Sequence, residues 1–131
     1  MNQKQDIAQI KDIKLLVDTF YEKVRADVVL APIFDARIRD HWPEHLEKMY
    51  RFWQTVLLEE HTYFGSPFVP HATLDVSHEH FQRWLNLFNQ TIDELFEGPI
   101  AKEARWRADK MALMFEKKLE YIQKNGLSSL H

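Results

Sequence analysis

Only three glycines, Gly65, Gly98 and Gly126, punctuate the 131 residues of this chain. Each follows a run in which apolar residues recur at helical spacing, so the stretches between them hold no residue with glycine's backbone freedom. No segment alternates polar and apolar residues as a half-buried strand would. The chain is therefore predicted to be all-α, with four main helices joined by short turns.

From Asp12, a good N-cap, Ile13, Leu16, Val17, Phe20, Tyr21 and Val24 mark one face of a first main helix to about Arg25, with a short helix predicted before it. Residues 28 to 38 (VVLAPIFDARI) contain Pro32 and read as turns or short 3₁₀ pieces leading to Phe34. Pro43 suits the first turn of a helix that carries His45, Met49, Phe52, Trp53 and Val56 on one face and runs to roughly Glu60. A single turn is expected beyond His71. Ser77 then caps a helix whose inner face is Phe81, Trp84, Leu85, Phe88, Ile92 and Leu95, and Glu97-Gly98-Pro99 ends it. The last helix runs from about Pro99 to Asn125 with Ala108, Met111, Phe115 and Ile122 inward. Periodicity does not choose between a bundle and a sandwich of helix pairs.

The length fits one domain over residues 1–131, with residues 1–11 and 127–131 expected to be loosely ordered ends. A formal charge of −3, and no Lys/Arg cluster interleaved with aromatics, argue against nucleic acid and anionic membranes as partners. The absence of cysteine removes disulfides, thiolate metal sites and cysteine nucleophiles. The N-terminus has no signal-peptide core, so the expected location is the cytoplasm.

Seven histidines and an aromatic content of 13% are high for this size. The stretch YFGSPFVPH, residues 63 to 71, delivers one histidine from a segment stiffened by Pro67 and Pro70. Taken singly, His71 reads as a surface residue or a local cap rather than as a ligand. His45 heads an apolar stripe and alone reads as a rim histidine. His41 is separated from it by Pro43. His78 and His80 do not share a helix face and read as solvated. No repeated Glu-x-x-His motif suggests a di-iron bundle. Tyr21 and Trp84 lie on apolar faces and each brings a donor that needs a partner once buried. Together with Phe34, Phe52, Trp53, Phe81 and Phe115 they suggest a box for a large flat apolar guest such as haem. A haem-free interaction module whose aromatics are only core is the alternative.

Several short motifs arrive in a set order: Phe20-Tyr21-Glu22-Lys23-Val24-Arg25, Pro32-Ile33-Phe34, Trp42 with His45, Phe52-Trp53, Tyr63-x-Gly65-x-Pro67-x-x-x-His71, and Phe81-x-x-Trp84-Leu85-x-x-Phe88. In this order and spacing the chain resembles the truncated haemoglobins, most closely their group III branch, from about Asp12 to the end of the last helix. The paired glycines of the group I and II branches are missing, and Met49 stands where a branched aliphatic residue is common.

The resemblance implies a two-over-two helical sandwich in which a loop or very short helix carries the proximal histidine, His71, as the protein ligand to iron. It implies one haem b per chain, distal donors Tyr21 and Trp84, and His45 at the distal-histidine position with its ring in or out. Phe34, Met49, Phe52, Trp53, Phe81, Met111 and Phe115 would line the haem. The ligands implied are O2, NO, CO and similar small molecules. Nitric oxide dioxygenation or peroxide reduction is the redox activity hypothesised for such a site, with an external reductase, since the chain has no flavin or nicotinamide motif. Arg51 and Lys48 are candidates for the propionates, although both also read as part of a solvated face.

Overall fold

A computed structural model describes residues 3–126; residues 1, 2 and 127–131, which include the whole of the C-terminal end expected to be loose, lie outside that range. Five α-helices and one 3₁₀ turn follow in order: α1 (Ile10–Ala26), α2 (Leu30–Ile38), α3 (Trp42–Leu58), the turn Val69–His71, α4 (His78–Leu95) and α5 (Pro99–Asn125). The backbone pairs α1 with α3 and α4 with α5, and α1 joins the two pairs by packing on α4. Among the described residues there is no strand, only an isolated bridge between Gln5 and Phe96. None of the described helices is long and apolar enough to cross a membrane.

The inner face of α1 is the one its periodicity predicts: Ile13, Leu16, Val17, Phe20, Tyr21 and Val24 are all buried. Its start differs. The helix begins two residues earlier than Asp12, and Asp12 serves as the third helical residue, its carboxylate accepting from the amides of Ala8 and Gln9. A carboxylate there also favours the positive end of the helix dipole. The short helix expected before α1 is an extended segment instead.

Residues 28 to 38 depart from the turns expected of them and form a regular helix, α2. The Oδ2 of Asp27 accepts from the amides of Val29 and Leu30, at 3.1 and 2.9 Å, and so caps α2 from three residues before it. Pro32 is the third residue of the helix, where an amide has no intrahelical partner to lose. Asp27 is itself gripped by Arg83 Nε of α4 at 2.7 Å, which holds its carboxyl below the usual carboxylate range; this pair ties α2 to α4.

The N-terminal segment is also more tightly held than a loose end. Ile7 is 2% exposed, and Asp6 accepts from the amides of Ile100 and Ala101 at 2.9 and 2.8 Å, capping α5 from the far end of the chain. The capping carboxylate lies in the space a side chain at residue 98 would need: a Cβ on Gly98 would meet Asp6 at 2.6 Å, and its φ of +142° disfavours any L side chain. Gly98→Ala is expected to cost about 2 kcal/mol, and Asp6→Ala about 1–2 kcal/mol through loss of the cap. Chemical denaturation of both variants checks this, and parent-like midpoints would mean that the cap contributes nothing.

Candidate functional site

Aromatic rings at the centre of the fold pack on one another rather than filling the space beside them. Phe20 meets Trp84 and Phe88 edge-on at 5.3 Å in both cases. Trp84 and Trp53 stack on Phe88, at 5.6 and 5.0 Å. Beside this cluster lies a cavity of about 750 Å³. Its size is in the range of sites for small organic ligands and cofactors, roughly 300–1,000 Å³. Tyr21, Phe34, His45, Met49, Phe52, Trp53, His71, Phe81, Trp84, Met111 and Phe115 all line it. Every residue the sequence singles out for the site lines this one cavity.

Several lining residues were not among the expected site residues. Phe20, Leu30, Ile33, Phe64, Leu74 and Val76 also line the cavity. Phe20 and Ile33 belong to the motifs, and Phe20 to the inner face of the first helix; Leu74 and Val76 sit in an irregular segment that has no period to reveal which way they point. Lys48 and Arg51, which also read as a solvated face, line the cavity too. Arg51 is held by Glu47 Oε1 through Nε at 2.9 Å and by Gln54 Oε1 through Nη1 at 3.0 Å.

The segment 64–76 positions His71. A 3₁₀ turn ends at His71, whose amide donates to Phe68 O at 2.7 Å, and the single turn expected beyond His71 is present, closed by the Leu74 amide donating to His71 O at 3.0 Å. The ring packs on Phe115 with centroids 4.8 Å apart, and its Nδ1 lies 2.7 Å from Pro67 O. With Nδ1 donating to a carbonyl, Nε2 is left as the lone-pair nitrogen, the arrangement of a metal-ligating imidazole. Burial lowers the His71 pKa, against the Pro67 contact, and the charge of Arg37 lowers it further. The ring is thus neutral and able to coordinate.

Tyr21 of α1, which also lines the cavity, is 7% exposed. Burial raises its hydroxyl pKa, so it stays protonated and able to donate a hydrogen bond. His45 of α3 lies edge-on to Tyr21 at 5.1 Å and to Trp42 at 5.7 Å. Its Nε2 is buried with no hydrogen-bond partner among the described residues. Burial, then the nearby charges of His71 and Lys48, push its pKa down to about 4, so it too is neutral near pH 7. No hydrogen bond joins Tyr21 Oη or Trp84 Nε1 to another described residue. Three residues that line this cavity therefore carry polar groups without a hydrogen-bond partner among the described residues, and for the buried Nε2 of His45 that is costly.

His41, His78 and His80 do other work. His41 is exposed between Asp40 and Glu44. His78 pairs with Glu116 at 2.7 Å, and His80 Nδ1 accepts from the Ser77 amide at 2.9 Å, so neither is simply solvated; His80 takes the place a Glu commonly fills in a capping box and also borders the cavity. Among the described residues no three His, Cys, Asp or Glu side chains cluster as a metal site of their own.

Comparison with known proteins agrees with this geometry. The family model for bacterial-like globins matches residues 6–117. The group 3 truncated hemoglobin of Campylobacter jejuni is 34% identical over 113 residues, covering 83% of this chain and 89% of that protein. A crystal structure of group III truncated hemoglobin from Campylobacter jejuni superposes with a TM-score of 0.82 at 33% identity, covering 89% of this chain and 95% of the other. The all-α sandwich, the order of its motifs and these matches agree: the chain belongs to the bacterial-like globin family, in its group III truncated haemoglobin branch.

Proposed function

We propose that this protein holds one haem b in the cavity, with His71 as its iron ligand, and binds dioxygen and other diatomic molecules on the opposite side. The observation that carries the reading is what one cavity brings together. Its lining includes a neutral imidazole whose Nδ1 is fixed by Pro67 O, and also Tyr21, Trp84 and His45, whose polar groups have no hydrogen-bond partner among the described residues. A purely structural aromatic core would have closed this space, because interiors pack to near-crystal density.

The residues present fit the cofactor. Phe34, Met49, Phe52, Trp53, Phe81, Met111 and Phe115 offer apolar surface for a flat macrocycle, and Arg51 and Lys48 offer cations for its carboxylates. When bound, haem would supply an iron with one imidazole and one position free for a small ligand. The protein's own part is to hold His71 by Pro67, to exclude bulk water with the aromatic wall, and to donate hydrogen bonds from Tyr21 and Trp84. His45, neutral and next to Tyr21, is the third polar group within reach of a guest. The reading takes in NO and CO as ligands, a cytoplasmic setting, and an external reductase as partner for nitric oxide detoxification or peroxide turnover.

Titration of the purified chain with haem tests the proposal. A Soret band that saturates at one equivalent is expected, whereas haem that stays as in buffer, with no protein-bound spectrum, would overturn it.

A further inference from the structure

The segment that carries His71 is bonded mostly to itself. His71 donates to Phe68 O, Leu74 donates to His71 O at 3.0 Å, and the ring turns back on Pro67 O. Packing of Phe68 and His71 on Phe115 adds contact area, but apolar contact does not fix an orientation. Among the described residues, one side chain from outside this segment hydrogen-bonds to residues 64–76, and it is Arg37 in the last turn of α2. Its Nη1 donates to Pro70 O at 2.7 Å and its Nη2 to Thr73 Oγ1 at 3.0 Å. The two acceptors lie on either side of His71 in the chain.

We propose that Arg37 is a positioning residue for the His71 imidazole, its fork holding the peptide before the histidine and the side chain two residues after it. This rests on the reading of His71 as the iron ligand. The planar guanidinium can span two fixed acceptors with two parallel N–H groups, which the single ammonium of lysine cannot. The anchor is itself anchored, because α2 is capped by Asp27 and Asp27 is gripped by Arg83 of α4. The ring orientation is thereby referred through α2 to the helical frame.

The test uses the full chain reconstituted with haem, and reads the iron–imidazole stretching line of the ferrous, ligand-free form by resonance Raman together with the rate of haem transfer to an excess of a haem-scavenging apoprotein. Arg37→Met is expected to shift or broaden the line and to speed haem loss by about three- to ten-fold, the range for losing an exposed charge-assisted pair of hydrogen bonds. Arg37→Lys keeps the charge but loses the fork, and should still broaden the line. Thr73→Val, at an exposed residue that leaves the fold intact, should move it the same way by less. A parent-like line and loss rate in Arg37→Lys and Thr73→Val would overturn the proposal, whether or not Arg37→Met folds. If instead the parent shows no such line, or His71→Ala retains it, the ligand reading itself has failed.

Discussion

His71→Ala, titrated with haem beside the parent, is expected to show no imidazole-ligated spectrum and to bind haem at least about a hundredfold more weakly. Loss of a partner one bond removed from a metal typically costs 10–100-fold, and loss of the ligand should exceed that. Among the described residues the His71 ring is the only imidazole whose Nδ1 is committed to a backbone carbonyl while the ring itself lines the cavity. Imidazole added to the buffer should enter the space vacated by the side chain and restore the spectrum, since the cavity is otherwise unchanged. His41→Ala and His78→Ala serve as controls, because His41 is exposed between two carboxylates and His78 is paired to Glu116. Equal losses in all three variants would refute the assignment. So would a His71→Ala protein that keeps the parent's spectrum, and His45 would then be the imidazole to examine next.

How far the site could be read in advance depended on whether a residue sat on a periodic element. Tyr21, Met49, Phe52, Trp53, Trp84, Met111 and Phe115 lie on helices whose 3.6-residue repeat fixes the direction of every side chain once one face is known to be buried. α2 is hidden in the sequence by Pro32, because proline breaks a helix everywhere except in its first turn. The cap that creates that first turn, Asp27, lies before the segment and gives no periodic signal. Asp6 shows the limit more clearly. Its partners are the amides of Ile100 and Ala101, 94 and 95 residues away, and nothing local to either end announces the contact. Arg37 is of the same kind, an exposed cation on a short helix whose two acceptors are set by tertiary placement. Local pattern thus revealed which faces line the cavity, whereas the polar ties that set its ends and its strap depend on distances that only the folded chain defines.

Tyr21→Phe and Trp84→Phe are each expected to speed dioxygen dissociation from the haem-loaded protein by roughly ten-fold or more, and the double variant by about a hundredfold if the two donors act independently. One hydrogen bond to a charged acceptor is worth about 1.5–3 kcal/mol, and about 1.4 kcal/mol is a factor of ten. Dioxygen in such a site takes up electron density and becomes a good acceptor, and the surrounding aromatic wall lowers the dielectric in which the donors act. Burial keeps the Tyr21 hydroxyl protonated, so its donation does not fade across the neutral range. The two side chains come from different helices, α1 and α4, yet both pack edge-on to Phe20, at 5.0 and 5.3 Å. Truncating one can therefore let the other move, and the double variant is the measure of that coupling: a combined effect well below the product of the single ones means that the donors share one acceptor. Carbon monoxide accepts little charge, so its dissociation should change by much less in every variant. Stopped-flow rates for both gases separate the two cases. Parallel changes for O2 and CO would point to altered access rather than lost hydrogen bonds, and unchanged O2 rates in both single variants would leave Tyr21 and Trp84 no role as donors.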